Sequence, residues 1–229
     1  MAIITGNLLL AALLSFEDFE AKPLGAPGLA AGFGGIRSHA AYVTNAKAHS
    51  GEKSLCWSVG KEPGMKAASY VILSSKMPRT EECLKTGCIR FSYWFCPDTA
   101  NAGFGTEVRA NTGRPLAWRT SASGFGLACA EMKAKAKKEK ARVLPKEWRS
   151  LKAATLGGWH FVEVFIPVNP SERLCAKMRV TWPDGTVEEG ESDYPHKPGT
   201  TDLNWTPIHD MSATDSRFFL DDLKVEYAL

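Results

Sequence analysis

The sequence predicts an all-β protein, a two-sheet antiparallel β-sandwich in a single domain over residues 1–229. Three observations predict it. Short segments alternating apolar and polar residues, bounded by Gly, Pro, Asn and Asp, recur from end to end. Long helical periodicity is almost absent. A chain of 229 residues, 44% of them hydrophobic, is also large enough to bury a core without staples.

The run from Ile3 to Leu14 reads as a first strand. It has the look of a short signal h-region, but no Lys or Arg precedes it and no A-x-A site follows. In Ile89 to Cys96, Ile89, Phe91, Tyr93 and Phe95 share one face and Arg90, Ser92, Trp94 and Cys96 the other, and Pro97-Asp98 ends the strand. A strand from Phe104 to Ala110 sets Glu107 and Arg109 opposite Thr106 and Val108, with Asn111-Thr112-Gly113 as its turn. From His160 to Val168, His160, Val162, Val164 and Ile166 oppose Trp159, Phe161, Glu163 and Phe165. Lys177 to Trp182 pairs with Thr186-Val187-Glu188 across the turn Pro183-Asp184-Gly185, and Arg217 to Tyr227 is the last strand. Glu188 to Asn204 and Ser212 to Ser216 read as long loops.

Residues 131–152 break this rhythm. The segment is rich in Lys and Ala without an apolar stripe, so it is expected to leave the sandwich surface as one basic helical or loop excursion. Its nine Lys and Arg against three Glu make it the basic flap of a chain whose net charge is only +3. That balance speaks against a nucleic-acid wrapper, and the flap has no interleaved aromatics to stack bases. No apolar run reaches the roughly 18 to 20 residues a transmembrane helix needs. Of the six cysteines, Cys83 and Cys88 bracket a polar segment that a small disulfide loop could close. Cys56, Cys96, Cys129 and Cys175 sit in apolar or strand-like settings suited to inert thiols, and no Cys-x-x-Cys or nearby His suggests zinc.

Four motifs in order span nearly the whole chain: Phe19 to Gly25, Ala48 to Leu55, Ile89 to Phe95 and Phe218 to Val225. Their order and spacing resemble the concanavalin A-like lectin/glucanase jelly rolls, which include laminin-G-like and carbohydrate-binding domains. Galactose-binding-like jelly rolls share the first, second and fourth. The resemblance implies a jelly roll, a structural Ca²⁺ and a sugar ligand on the concave sheet. By position, Glu20 (with Glu17 as the weaker match), the His49 to Gly51 backbone and Asp221 or Asp222 match the calcium ligands, and hard oxygen donors suit that ion.

A sugar-binding face needs flat aromatic surfaces and planar donors and acceptors, and the chain has seven Trp. Carried onto this sequence, the ligand face comprises Arg90, Trp94, Glu107 and Arg109, joined by Phe161 and Glu163 if their strand lies in the same sheet. Enzymatic signatures are weaker. Glu17-Asp18-Phe19-Glu20 fails the E-x-D-x-E pattern of the family's glucanases, and hydrolysis normally needs two flanking carboxyl groups. Thr106-Glu107-Val108-Arg109 matches half of the R-x-E-x-R motif of alginate-lyase-like jelly rolls, without their Gln-x-His; His209, beside Asp210 in an expected loop, is the one suggestive histidine. The expectation is a monomeric, secreted or cell-surface, lectin-like module for a polysaccharide or oligosaccharide, without nucleic-acid partner or transmembrane segment. A polysaccharide lyase or glycoside hydrolase, or a ligand-free structural module, is the alternative.

Overall fold

Alternation decides which side chains of a strand enter the core. Ile89, Phe91, Tyr93 and Phe95 are buried, as are Val162, Val164 and Ile166 on the neighbouring strand, so the faces read from sequence are the faces the protein uses. The computed structural model describes residues 11–25, 41–59, 73–76, 88–110, 113–129, 148–167, 174–194, 202–209 and 216–228. Among them there are strands and no helix. The strands are β1 (Ala11–Glu17), β2 (Ala41–Thr44), β3 (Ser54–Val59), β4 (Leu73–Lys76), β5 (Cys88–Pro97), β6 (Gly103–Ala110), β7 (Gly113–Ser121), β8 (Gly124–Cys129), β9 (Trp148–Arg149), β10 (His160–Pro167), β11 (Leu174–Thr181), β12 (Val187–Tyr194), β13 (Asp202–His209) and β14 (Ser216–Ala228).

All pairings are antiparallel and form two sheets. One runs β12-β11-β10-β5-β14-β3-β2, with β1 also on β14; the other runs β4-β13-β6-β7-β8-β9. β14 pairs β5 along one edge. On its other edge β3 takes residues 216–220 and β1 takes residues 223–228, so β1 and β3 lie end to end. At their junction β14 bulges between Asp221 and Lys224, with Asp222 at φ +47°.

The core lies between the sheets. Phe91, Tyr93, Phe95, Phe218 and Met178 from the larger sheet meet Phe104, Leu116, Trp118, Phe125 and Leu127 from the smaller. Each such side chain contributes about 1.5–3 kcal/mol by leaving water. One polar thread crosses this layer: Trp118 Nε1 donates to Tyr93 Oη at 3.1 Å, and Tyr93 Oη lies 2.6 Å from Thr120 Oγ1. Burial pushes the Tyr93 phenol far above its ordinary range, so it stays protonated as the thread requires.

Several expectations need correction. The ends of the expected loop Glu188 to Asn204 are strands, since β12 extends to Tyr194 and β13 starts at Asp202; residues 195–201 lie outside the described residues. His209 stands on β13 opposite Phe104, not in a loop. The basic segment returns to the sandwich before its expected end, because Trp148 and Arg149 form β9 at the edge of the six-stranded sheet. Its earlier part, residues 131–147, lies outside the described residues, as do Ile3 to Leu10, Cys83 and Asp210. Cys56 and Cys96 are buried free thiols, as expected, and Cys88 is free as well.

Candidate functional site

β5 and β10 are neighbours in the eight-stranded sheet, so Arg90, Trp94, Phe161 and Glu163 do share its outer face. Glu107 and Arg109 do not join them. β6 belongs to the other sheet, because residues 98–102 carry the chain across the sandwich, tied by Asp98 N to Arg217 O and by Ala122 N to Ala102 O. Alternation fixes which face a strand buries but not which sheet it enters.

The Arg90 side chain is already engaged. Its Nε donates to Glu226 Oε2 at 2.7 Å, a second nitrogen also contacts Glu226, and Nη1 lies 3.4 Å from Glu163 Oε1. Arg179 Nη1 reaches Glu163 at 3.9 Å and Arg179 Nε reaches Glu189 at 2.5 Å, while Lys224 holds Glu226 and Lys177 holds Glu191. Burial pushes the Glu163 carboxyl up against the pull of Arg90 and Arg179. Burial also acts on Glu226, but hydrogen bonds from Lys224 and Arg90 hold it below its ordinary range. The face is an alternating lattice of charges that satisfy one another. Trp94 is covered as well: the His49 ring stacks on it at 3.6 Å between centroids, and Phe161 tilts against it at 4.8 Å.

The outer face of the six-stranded sheet is built differently. Across β6, β7, β8 and β9 the register aligns Gly105, Arg119, Gly126 and Arg149 in one row. Arg119 is exposed, with a residue lacking a side chain on each side. Neither glycine is required by the backbone, since neither has a positive φ. A Cβ on buried Gly126 would touch Trp148 O at 3.4 Å and Arg149 Cγ at 3.9 Å, so a methyl would be tolerated there beside the Arg149 stem. Glycine inside a strand costs stability and marks a place where something approaches the backbone closely. The next row of this sheet pairs Thr206, Glu107 and Ala117 through their backbones, and Asn204 pairs Arg109. Thus Glu107 and Arg109, predicted from the sequence, stand in the sheet that carries Arg119, which the sequence reading missed. The signal was present in Gly103-Phe104-Gly105 and Gly124-Phe125-Gly126-Leu127, where glycine alternates with large core residues.

The expected calcium ligands gather at the junction of β1, β3 and β14. Glu20 Oε1 accepts from the backbone N–H of Glu52 (2.9 Å) and Lys53 (2.7 Å). Asp221 Oδ2 accepts from His49 N (2.8 Å) and Ser50 N (3.2 Å), and its Oδ1 from Asp222 N (2.9 Å). Asp222 accepts from Ser50 Oγ at 2.9 Å and lies 3.4 Å from His49 Nδ1. Glu17 caps its own turn, accepting from Phe19 N and pairing with Lys22. Asp221 is fully buried, and burial pushes its carboxyl up to about 6, against the pull of the three N–H donors. The 49–53 turn therefore presents N–H groups, not carbonyls, to Glu20 and Asp221. Among the described residues no three His, Cys, Asp or Glu side chains converge as a metal-binding group. This donor set does not fit a hard cation that takes 6 to 8 oxygens.

No protein-family model and no curated protein matches the sequence. Solved structures do match its shape. An endo-β-1,4-glucuronan lyase from the fungus Trichoderma reesei superposes with a TM-score of 0.60 at 10% identity, over 93% of this chain and 95% of that one. A carbohydrate esterase from the Shiga toxin-encoding bacteriophage phi24B gives 0.58 at 14% identity, over 94% and 98%. The PL-14 alginate lyase from Aplysia kurodai gives 0.56 at 9% identity, over 81% and 86%. At such identities the likeness establishes the fold, a two-sheet jelly-roll β-sandwich, and function has to be argued from the residues.

Proposed function

We propose that this chain is a polysaccharide-binding module whose ligand is acidic and lies along the outer face of the six-stranded sheet, with Arg119 as the residue that grips a sugar carboxylate. The observation that carries this reading is Arg119 standing exposed between Gly105 and Gly126 in register. A guanidinium binds a carboxylate through two parallel N–H···O bonds, and half-buried Gly105 beside it adds no side chain in the way of a sugar ring. Arg149 extends the same row, and its stem passes beside Gly126. Two structures of like fold are named for glucuronan and alginate, both polymers of uronic acids, which supports an acidic ligand. Such a partner puts the protein's work at or beyond the cell surface. Arg90, Trp94 and Glu163 lie outside this ligand face, on the other sheet, with their charges and ring engaged by neighbouring residues.

Electrophoresis of the native protein through gels containing a polyuronate or a neutral glucan tests the reading. Retardation by the polyuronate alone, weakening with added salt, is the expected result. Equal mobility in both gels would overturn it. Incubation with the same polyuronate separates binding from cleavage: a lyase releases unsaturated uronate ends, and a binding module leaves the polymer intact.

A further inference from the structure

We infer that the ammonium of Lys53 serves as the built-in cation of the junction between β1, β3 and β14, so that this clasp holds without a metal ion. Three observations support it. First, the carbonyl oxygens of Glu20 and Lys22, just beyond β1, converge on Lys53 Nζ at 2.7 and 2.9 Å. Two backbone carbonyls meeting at one point is what a bound cation needs, and here a side chain of the same chain occupies that point. Second, Glu20 Oε1 and both carboxylate oxygens of Asp221 accept from backbone N–H groups of residues 49, 50, 52, 53 and 222. An ion there would face the positive ends of those dipoles. Third, the turn closes directly on Glu20: Gly51 has φ +57°, and a Cβ on it would stand 2.5 Å from Glu20 Oε1, leaving no gap for an ion between turn and carboxylate.

The arrangement follows from the topology. β1 and β3 abut on one edge of β14, so the strand ends leave carbonyls and N–H groups without ladder partners. Buried backbone groups must be satisfied. Lys53 takes the carbonyls, and the two carboxylates take the N–H groups.

The test compares thermal unfolding of the full chain in excess Ca²⁺ and in excess chelator, for the native protein and for Lys53→Met. The expected result is one Tm for the native protein under both conditions, and a Tm lower by several degrees for Lys53→Met. A native Tm that rises with Ca²⁺, or an unchanged Tm in Lys53→Met, would overturn the inference. Should Lys53→Met fail to fold, calorimetric titration of the native protein with CaCl₂ alone decides: absence of a saturable heat supports it, and a saturable heat overturns it.

Discussion

The imidazole of His49 lies parallel to the indole of Trp94, with ring centroids 3.6 Å apart and 14° between planes, and Trp159 meets the same imidazole edge-on at 5.7 Å. The aromatic surface that looks free in the sequence is therefore used inside the molecule. It fastens the 49–53 turn, which also donates hydrogen bonds to Asp221 and Glu20, onto the outer face of the eight-stranded sheet.

Replacing Trp94 should accordingly cost stability and not binding. Trp94→Ala removes the His49 stack and the Phe161 contact from a half-buried position, an expected loss of about 2–4 kcal/mol. Urea unfolding measures it. Retardation by polyuronate, scored on the folded fraction, should match the native protein.

At the opposite edge, Trp148 of β9 packs against the backbone of Gly190 in β12. A Cβ on Gly190 would lie 2.0 Å from the indole ring. Gly190→Ala must displace Trp148 or part the two strand edges, at an expected cost of about 1–3 kcal/mol. Near-ultraviolet circular dichroism should report the altered indole, and urea unfolding the lost stability.

The same contact explains why β12 is illegible in the sequence beyond Glu188. Its inner residue Gly190 is small because Trp148 fills the space above it, Ser192 beyond it is small and polar, and its outer residues, Glu189 and Glu191, stand opposite Arg179 and Lys177. Neither face shows the apolar alternation that gave away β5 and β10, so the segment reads as a loop. β8 is hidden for a related reason: Gly124 and Gly126 lower its strand signal beside the candidate site. Glu107 and Arg109 were found because their strand alternates, but their sheet was misplaced because the crossover at residues 98–102 leaves no periodicity.

His160 gives a pH signature. Fully buried, it accepts a hydrogen bond on Nε2 from Thr155 N at 3.1 Å, and its Nδ1 lies 3.4 Å from Phe95 O. Burial holds its pKa below the ordinary histidine range. The unfolded chain then binds the proton first, so stability is fully present above about pH 6.5 and is lost as pH falls through the lower folded value. Asp221, raised to about 6, acts in the opposite direction: its contribution to stability grows as pH falls from 6 toward the ordinary Asp range. The comparison that isolates the histidine is His160→Gln against the native protein, with urea midpoints measured from pH 8 to pH 5. The native midpoint should fall more steeply on acidification, and parallel curves would assign the acid sensitivity elsewhere.

Arg119 decides where the ligand binds. Calorimetric titration of a polyuronate oligosaccharide into the native protein and into Arg119→Ala should show affinity falling by about 10-fold or more, the loss of a charge-assisted pair worth about 1.5–3 kcal/mol, with the urea midpoint unchanged because the side chain is exposed. Undiminished affinity in Arg119→Ala would contradict a ligand face on the six-stranded sheet.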